Sequence, residues 1–172
     1  KESIQLPSHD PTTLVSAMAA VTQNLGFGIT VNLSYESPYQ FARRFASLDH
    51  LTQGRIGWNI VTGYLDSAER LIGQKGLKDH DLRYEQAEEF LQLCYKFWEG
   101  SWENDAVLKD KKQRVFTDPS KVHQVQHQGQ FYQSQGVFQV SPSVQRTPVL
   151  FQAGASPRGL TFATQHAEGL FI

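Results

Sequence analysis

The sequence predicts an α/β fold built on a parallel sheet. Short apolar or alternating runs recur along the chain, amphipathic segments at helical spacing separate them, and Asp-Pro or Ser-Pro pairs mark where helices begin. Strands that alternate with helices pair in parallel through right-handed crossovers. Spacing leaves open whether such a sheet is doubly wound or closes into a barrel.

Asp10-Pro11 opens a first helix over 12–25, in which Leu14, Met18, Val21 and Leu25 share one face. The run GFGITVNL then alternates, with Phe27, Ile29, Val31 and Leu33 on one side of a strand bounded by Gly26 and Ser34. Ser37-Pro38-Tyr39-Gln40 combines a capping Ser, Pro at the first helical position and Gln at the capping-box position. The helix it starts runs to about Leu51, where Gln53-Gly54 stops it. Ile56 to Thr62 is a short apolar run, the pattern of a strand buried on both faces.

A polar loop follows. Ala87, Phe90, Leu91, Cys94 and Trp98 then fall at helical spacing behind Glu85, Glu88 and Glu89, acids placed where the helix dipole favours them, and Gly100 ends that helix. Residues 101–147 break the rhythm. They are polar and Gln-rich, with hairpin-like pieces near 130–133 and 137–140, and read as an insertion in a single partial domain over 1–172. Pro148 to Ala153 restores a buried strand, Ser156-Pro157 opens a helix through Leu160 and Ala163, and GLFI begins another strand. The order is β-α-β-α-β-α-β.

Composition excludes several classes of function. Lys plus Arg number 16 against 17 Asp plus Glu, a net charge of -1 that gives no electrostatic case for nucleic acid or an anionic membrane. No apolar run approaches the roughly 20 residues a membrane helix needs, and no leader opens the chain. The lone Cys94 rules out an intrachain disulfide and a multi-cysteine metal cluster, and a cytoplasmic location is the default expectation. The absence of an initiator Met, and an end inside the apolar Leu170-Phe171-Ile172, suggest a piece of a longer protein.

In either sheet architecture ligands gather at the carboxyl ends of the strands, which selects Thr30, Asn32, Asn59, Thr62 and Gln152. A buried Thr that merely satisfies a neighbouring carbonyl is an equal reading. AGASPRG (153–159) joins a strand directly to a helix, so Ser156 caps while free N–H groups face outward, a terminus suited to phosphate. The small Ala153, Gly154 and Ala155 let a ligand approach the backbone, and Arg158 can add charge. An ordinary strand-to-helix turn has the same appearance. His80 and Tyr84, four apart near a helix start, share a face that a flat aromatic ligand can use. The alternative is Asp81 as cap, His80 exposed and Tyr84 packed. His123 and His127 are also four apart but have no evident third ligand or adjacent acid, so no metal site is expected. Cys94 sits on an apolar helix face and reads as core.

Four segments together resemble one family. SYESPYQFARRFASLDHLTQGRIGWNIVTGYLDSAER, HDLRYEQAEEFLQLCYKFWEGSWENDAV, FTDPSKVHQVQHQGQFY and QRTPVLFQAGASPRGLTFATQHAE resemble the nitrilotriacetate, dibenzothiophene-sulfone and long-chain-alkane monooxygenases of the bacterial-luciferase-like flavin enzymes. The resemblance implies part of a (β/α)8 TIM barrel, about half of it, with FMN at the strand carboxyl ends. By position it implies that Thr30 lies near the flavin ring, that His80 and Tyr84 contact the ribityl-phosphate side, that Ser156 holds the phosphate, and that Asn59 and Thr62 line the same pocket. It further implies reduced FMN delivered by a separate NAD(P)H-dependent flavin reductase, O2 and a small organic substrate as reactants, and a homo-oligomer. No catalytic acid or base is assigned. Tyr64 stands where an alkane-oxidising relative has His, and Pro157 where some relatives have a second Ser, so the substrate stays open. A flavin-binding fragment without activity and a deazaflavin-dependent relative are the alternative expectations.

Overall fold

The computed structural model describes residues 8–171, so Ile172 of the last predicted strand lies outside them. The chain opens with α1 (Pro11–Ala20), β1 (Phe27–Asn32), α2 (Pro38–Thr52) and β2 (Ile56–Val61). It continues with α3 (Asp66–Leu71), α4 (His80–Trp98), and two hairpins, β3 (Val107–Asp110) with β4 (Val115–Thr117) and β5 (Gln124–Gln128) with β6 (Gln133–Val137). β7 (Val149–Ala153), α5 (Pro157–His166) and β8 (Gly169–Phe171) complete it. β1, β2, β7 and β8 form one parallel sheet in that order, with Thr30 opposite Asn59 and Gln152 opposite Leu170.

Alternation along these strands sends one set of side chains toward the helices and the other to the open face. Ile29, Trp58, Ile60 and Leu150 face the helical layer and are buried. Phe41 of α2 stacks 4.2 Å from Trp58 and 4.3 Å from Phe45, with Phe90 of α4 at 5.4 Å, so aromatic rings bolt α2 and α4 to the sheet. The indole N–H of Trp58 donates to the Val31 carbonyl and that of Trp98 to Ala42, which leaves neither polar group unpaired. The opposite face carries Gly28, Thr30, Gly57, Asn59 and Phe151 above an open groove of about 610 Å3.

Helix starts follow the capping signals. Ser37 Oγ accepts from the Gln40 N–H, Pro38 occupies the first turn, and Gln53 closes α2 in the left-handed region at φ 56°. Three expectations are corrected. The first helix stops at Ala20, and its buried face is Thr12, Val15 and Ala19; Leu14, Met18, Val21 and Leu25 point outward. Both sets satisfy helical spacing, and contact with α2 and β1 selects the smaller one. The supposed loop after β2 contains α3, too short to show an apolar period. The cap of α4 is Asp79, whose carboxylate accepts from the Asp81 N–H, and not Asp81.

Residues 101–147 hold the two hairpins, outside the parallel sheet. The stretch is tied back at its end, where the Gln145 N–H and amide donate to Asp49 of α2 at 2.7 and 2.6 Å. Among the described residues no helix is long and apolar enough to cross a membrane.

Candidate functional site

The β7–α5 junction is built by local rules. Ser156 is extended (φ -72°, ψ 149°) and its Oγ accepts from the Gly159 N–H at 3.0 Å, while Pro157 takes the first helical position. The Leu160 N–H closes the first turn on the Ser156 carbonyl. The N–H groups of Ala155, Ser156 and Arg158 find no partner among the described residues, so the positive end of α5 is left open for an anion.

Tyr84 rises to this junction from α4. Its ring is 6% exposed and packs edge-on against Phe162 at 5.6 Å, and its hydroxyl accepts from the Gln152 amide at 3.2 Å. A Cβ placed on Gly159 would stand 2.7 Å from that hydroxyl and 3.0 Å from Ser156 Oγ. Two hydroxyls from different elements therefore close on one point over the first turn of α5, too near it to admit any side chain larger than glycine's hydrogen. The Arg158 guanidinium lies 6.0 Å from the Tyr84 ring centroid, adding positive charge beside the opening.

His80 sits at the rim, its ring 5.1 Å from that of Tyr84 and its Nδ1 2.8 Å from Asp81 Oδ1. Thr30 and Asn59 form a second polar group on the open sheet face, where Asn59 Nδ2 donates to Thr30 Oγ1 at 3.0 Å and Asn59 Oδ1 is buried without a partner. Six of the sequence-selected residues thus fall into two sets: His80, Tyr84, Ser156 and Gln152 at the β7–α5 corner, and Thr30 with Asn59 over β1 and β2. The groove of about 610 Å3 takes in the second set and not the first. It is wide because the sheet is open on that side, so its size reflects the uncovered face rather than a shaped site.

Asn32 is drawn away from the open face, accepting from the Ser34 N–H and donating to the buried Glu69 at 3.4 Å. Nearby Glu36 is pushed up by burial, against the pull of Arg44 at 2.5 Å. Tyr64 is fully on the surface at 76% exposed. Cys94 is buried and its thiol is pushed well up by burial, which keeps it unreactive. His127 and His123 each take an acid that sequence spacing did not reveal, Glu89 at 3.0 Å and Glu103 at 2.8 Å. Sequence reasoning also missed Gly159. It had noted the small residues at 153–155, and a glycine three positions after a capping Ser was the available signal.

Two hydroxyls, free N–H groups and a guanidinium converge at the β7–α5 corner, and the Thr30–Asn59 pair offers polar contacts on the adjoining sheet face. Residues 2–172 match a family model described as luciferase-like monooxygenase. Over all 172 residues the chain is 54% identical to the dimethyl-sulfide monooxygenase of Hyphomicrobium sulfonivorans, of which it covers 36%. A crystal structure of long-chain alkane monooxygenase matches 99% of the chain with a TM-score of 0.95 and 51% identity. A riboflavin lyase solved with modified FMN and riboflavin matches 99% with a TM-score of 0.95 and 47% identity. The chain spans 39% of the former structure and 38% of the latter, whose fold is the TIM barrel, so it supplies part of a barrel.

Proposed function

The chain belongs to the luciferase-like monooxygenase family, and from that premise we propose that the whole protein is a two-component FMN-dependent monooxygenase. It takes reduced FMN from a separate NAD(P)H-dependent reductase and, with O2, oxygenates a small organic substrate. The observation that carries this reading is the pair of hydroxyls, Ser156 and Tyr84, converging over Gly159 at the open end of α5. When bound, reduced FMN supplies the electrons that activate O2.

The chain's own residues do the rest. Ser156 Oγ, the Tyr84 hydroxyl and the free N–H groups of α5 hold the phosphate. His80 covers the ribityl side at the rim. Asn59 and Thr30, joined by their own hydrogen bond, present polar atoms to the ring edge. The apolar side chains beneath, including Phe151 on the open face, keep water from the reacting edge. Residues 101–147 are on this reading an insertion on the barrel, held to it through α2 and α4.

Ser156→Ala weakens FMN binding by about 1–2 kcal/mol, the scale of a charge-assisted hydrogen bond, and riboflavin binding much less. Fluorescence titration of both flavins against the intact-length protein reads this out. Equal loss for the two ligands means that Ser156 supports the helix without touching phosphate.

A further inference from the structure

Gln152 is a glutamine where the fold has every reason to place an apolar residue. It stands on the helix-facing side of β7, in line with Leu150, and is 2% exposed. Its Nε2 donates to the Tyr84 hydroxyl at 3.2 Å, and its Oε1 is buried with no partner among the described residues. A buried carbonyl that forfeits water and gains nothing is a cost the fold bears, and such a group calls for a reason. Gln152 Nε2 and the Tyr84 hydroxyl also lie 3.3 and 3.5 Å from the point where a Gly154 Cβ would stand, at the floor of the β7–α5 corner.

We propose that Gln152 is a positioning residue for the flavin phosphate, acting through Tyr84. This rests on the flavin reading above. A phenol hydroxyl both donates and accepts. Left alone in a pocket, it turns its hydrogen toward the nearest acceptor; the amide N–H of Gln152 occupies its accepting side and directs the hydrogen away, toward the opening shared with Ser156 Oγ. The corner then presents a second donor to an anion before any ligand arrives, so less ordering remains to be done on binding. The unpaired Oε1 is the consequence of using the amide's donor half for this purpose inside a dry layer.

The signature is a split between stability and ligand affinity. An amide kept for packing stabilises the fold when present; an amide kept to aim Tyr84 does not. Gln152→Met, unbranched and of similar length, removes both the donor and the orphaned carbonyl. In the intact-length protein it leaves the melting temperature without flavin unchanged or raises it, and weakens FMN about fivefold, the scale of one neutral hydrogen bond, with riboflavin unaffected. In a Tyr84→Phe background the same change has no further effect on FMN, because the group it acts through is gone. Gln152→Leu removes the same donor and carbonyl with a shorter apolar side chain, gives the same loss of about fivefold for FMN alone, and keeps the test alive should the Met variant fold poorly. Equal losses for FMN and riboflavin overturn the inference, as does a Gln152→Met effect that persists in full beside Tyr84→Phe. If Tyr84→Phe and Ser156→Ala both leave FMN affinity untouched, the flavin-phosphate reading itself fails, a result distinct from failure at Gln152 alone.

Discussion

Gly159→Ala lowers FMN affinity by about ten- to a hundredfold, although alanine is the better helix former. Intrinsic propensity favours the change by about 0.5–1 kcal/mol in a helix interior. The added methyl, however, stands 2.7 Å from the Tyr84 hydroxyl and 3.0 Å from Ser156 Oγ. Tyr84 has little freedom to withdraw, since its ring is 6% exposed and packs edge-on against the buried Phe162. Overpacking of this kind costs about 1–3 kcal/mol, and because it displaces the two hydroxyls that hold the phosphate, the loss is carried to FMN at about 1.4 kcal/mol per tenfold. Isothermal titration of FMN and riboflavin against the variant separates the contributions. FMN affinity within a factor of two of the parent protein means that the space over Gly159 is not part of the phosphate seat.

Glu89→Ala destabilises the fold by about 2–4 kcal/mol, through three donors left without an acceptor in a site nearly closed to water. The Glu89 side chain, 12% exposed, reaches from α4 to the β5–β6 hairpin, where it accepts from the Phe131 and Tyr132 N–H groups at 2.9 and 2.8 Å and pairs with His127. Gly129 leaves no room for a side chain beside it. Burial works against ionisation here, but the hydrogen bonds from His127, Phe131 and Tyr132 outweigh it and hold the carboxyl below its usual range. The folded value being the lower one, the stabilisation is fully present above the unfolded carboxyl value, about 4.3, and is lost as pH falls through the folded value. Urea denaturation at pH 7 and again near pH 3 gives a gap between parent and variant that narrows in acid. A gap of the same size at both pH values removes the carboxylate from the account.

The sheet was legible because its strands are short alternating or apolar runs, and because Ser, Asp and Pro in fixed places mark the starts of the helices between them. Ser37 and Ser156 cap as their positions imply. What sequence could not decide was which of two equally spaced sets faces inward. In α1 the bulky Leu14 and Met18 lie outside while Val15 and Ala19 are packed, and only the neighbouring elements settle that. Partners far apart along the chain were equally hidden. Glu89 and His127 are separated by 38 residues, and Gln152 and Tyr84 by 68. Strand-end position marked Gln152 for attention, but its reach to the Tyr84 hydroxyl leaves no trace in local spacing. For Tyr84 the packing half of the two readings is visible: the ring belongs to the core, and the hydroxyl reaches the corner.

The most direct test of the phosphate seat is a crystal structure of the intact-length protein soaked with FMN. The account predicts phosphate oxygens about 2.5–2.7 Å from both Ser156 Oγ and the Tyr84 hydroxyl, over Gly159, the separation of charge-assisted O–H···O contacts. An FMN phosphate bound away from the first turn of α5, with that corner filled by protein or solvent, contradicts it.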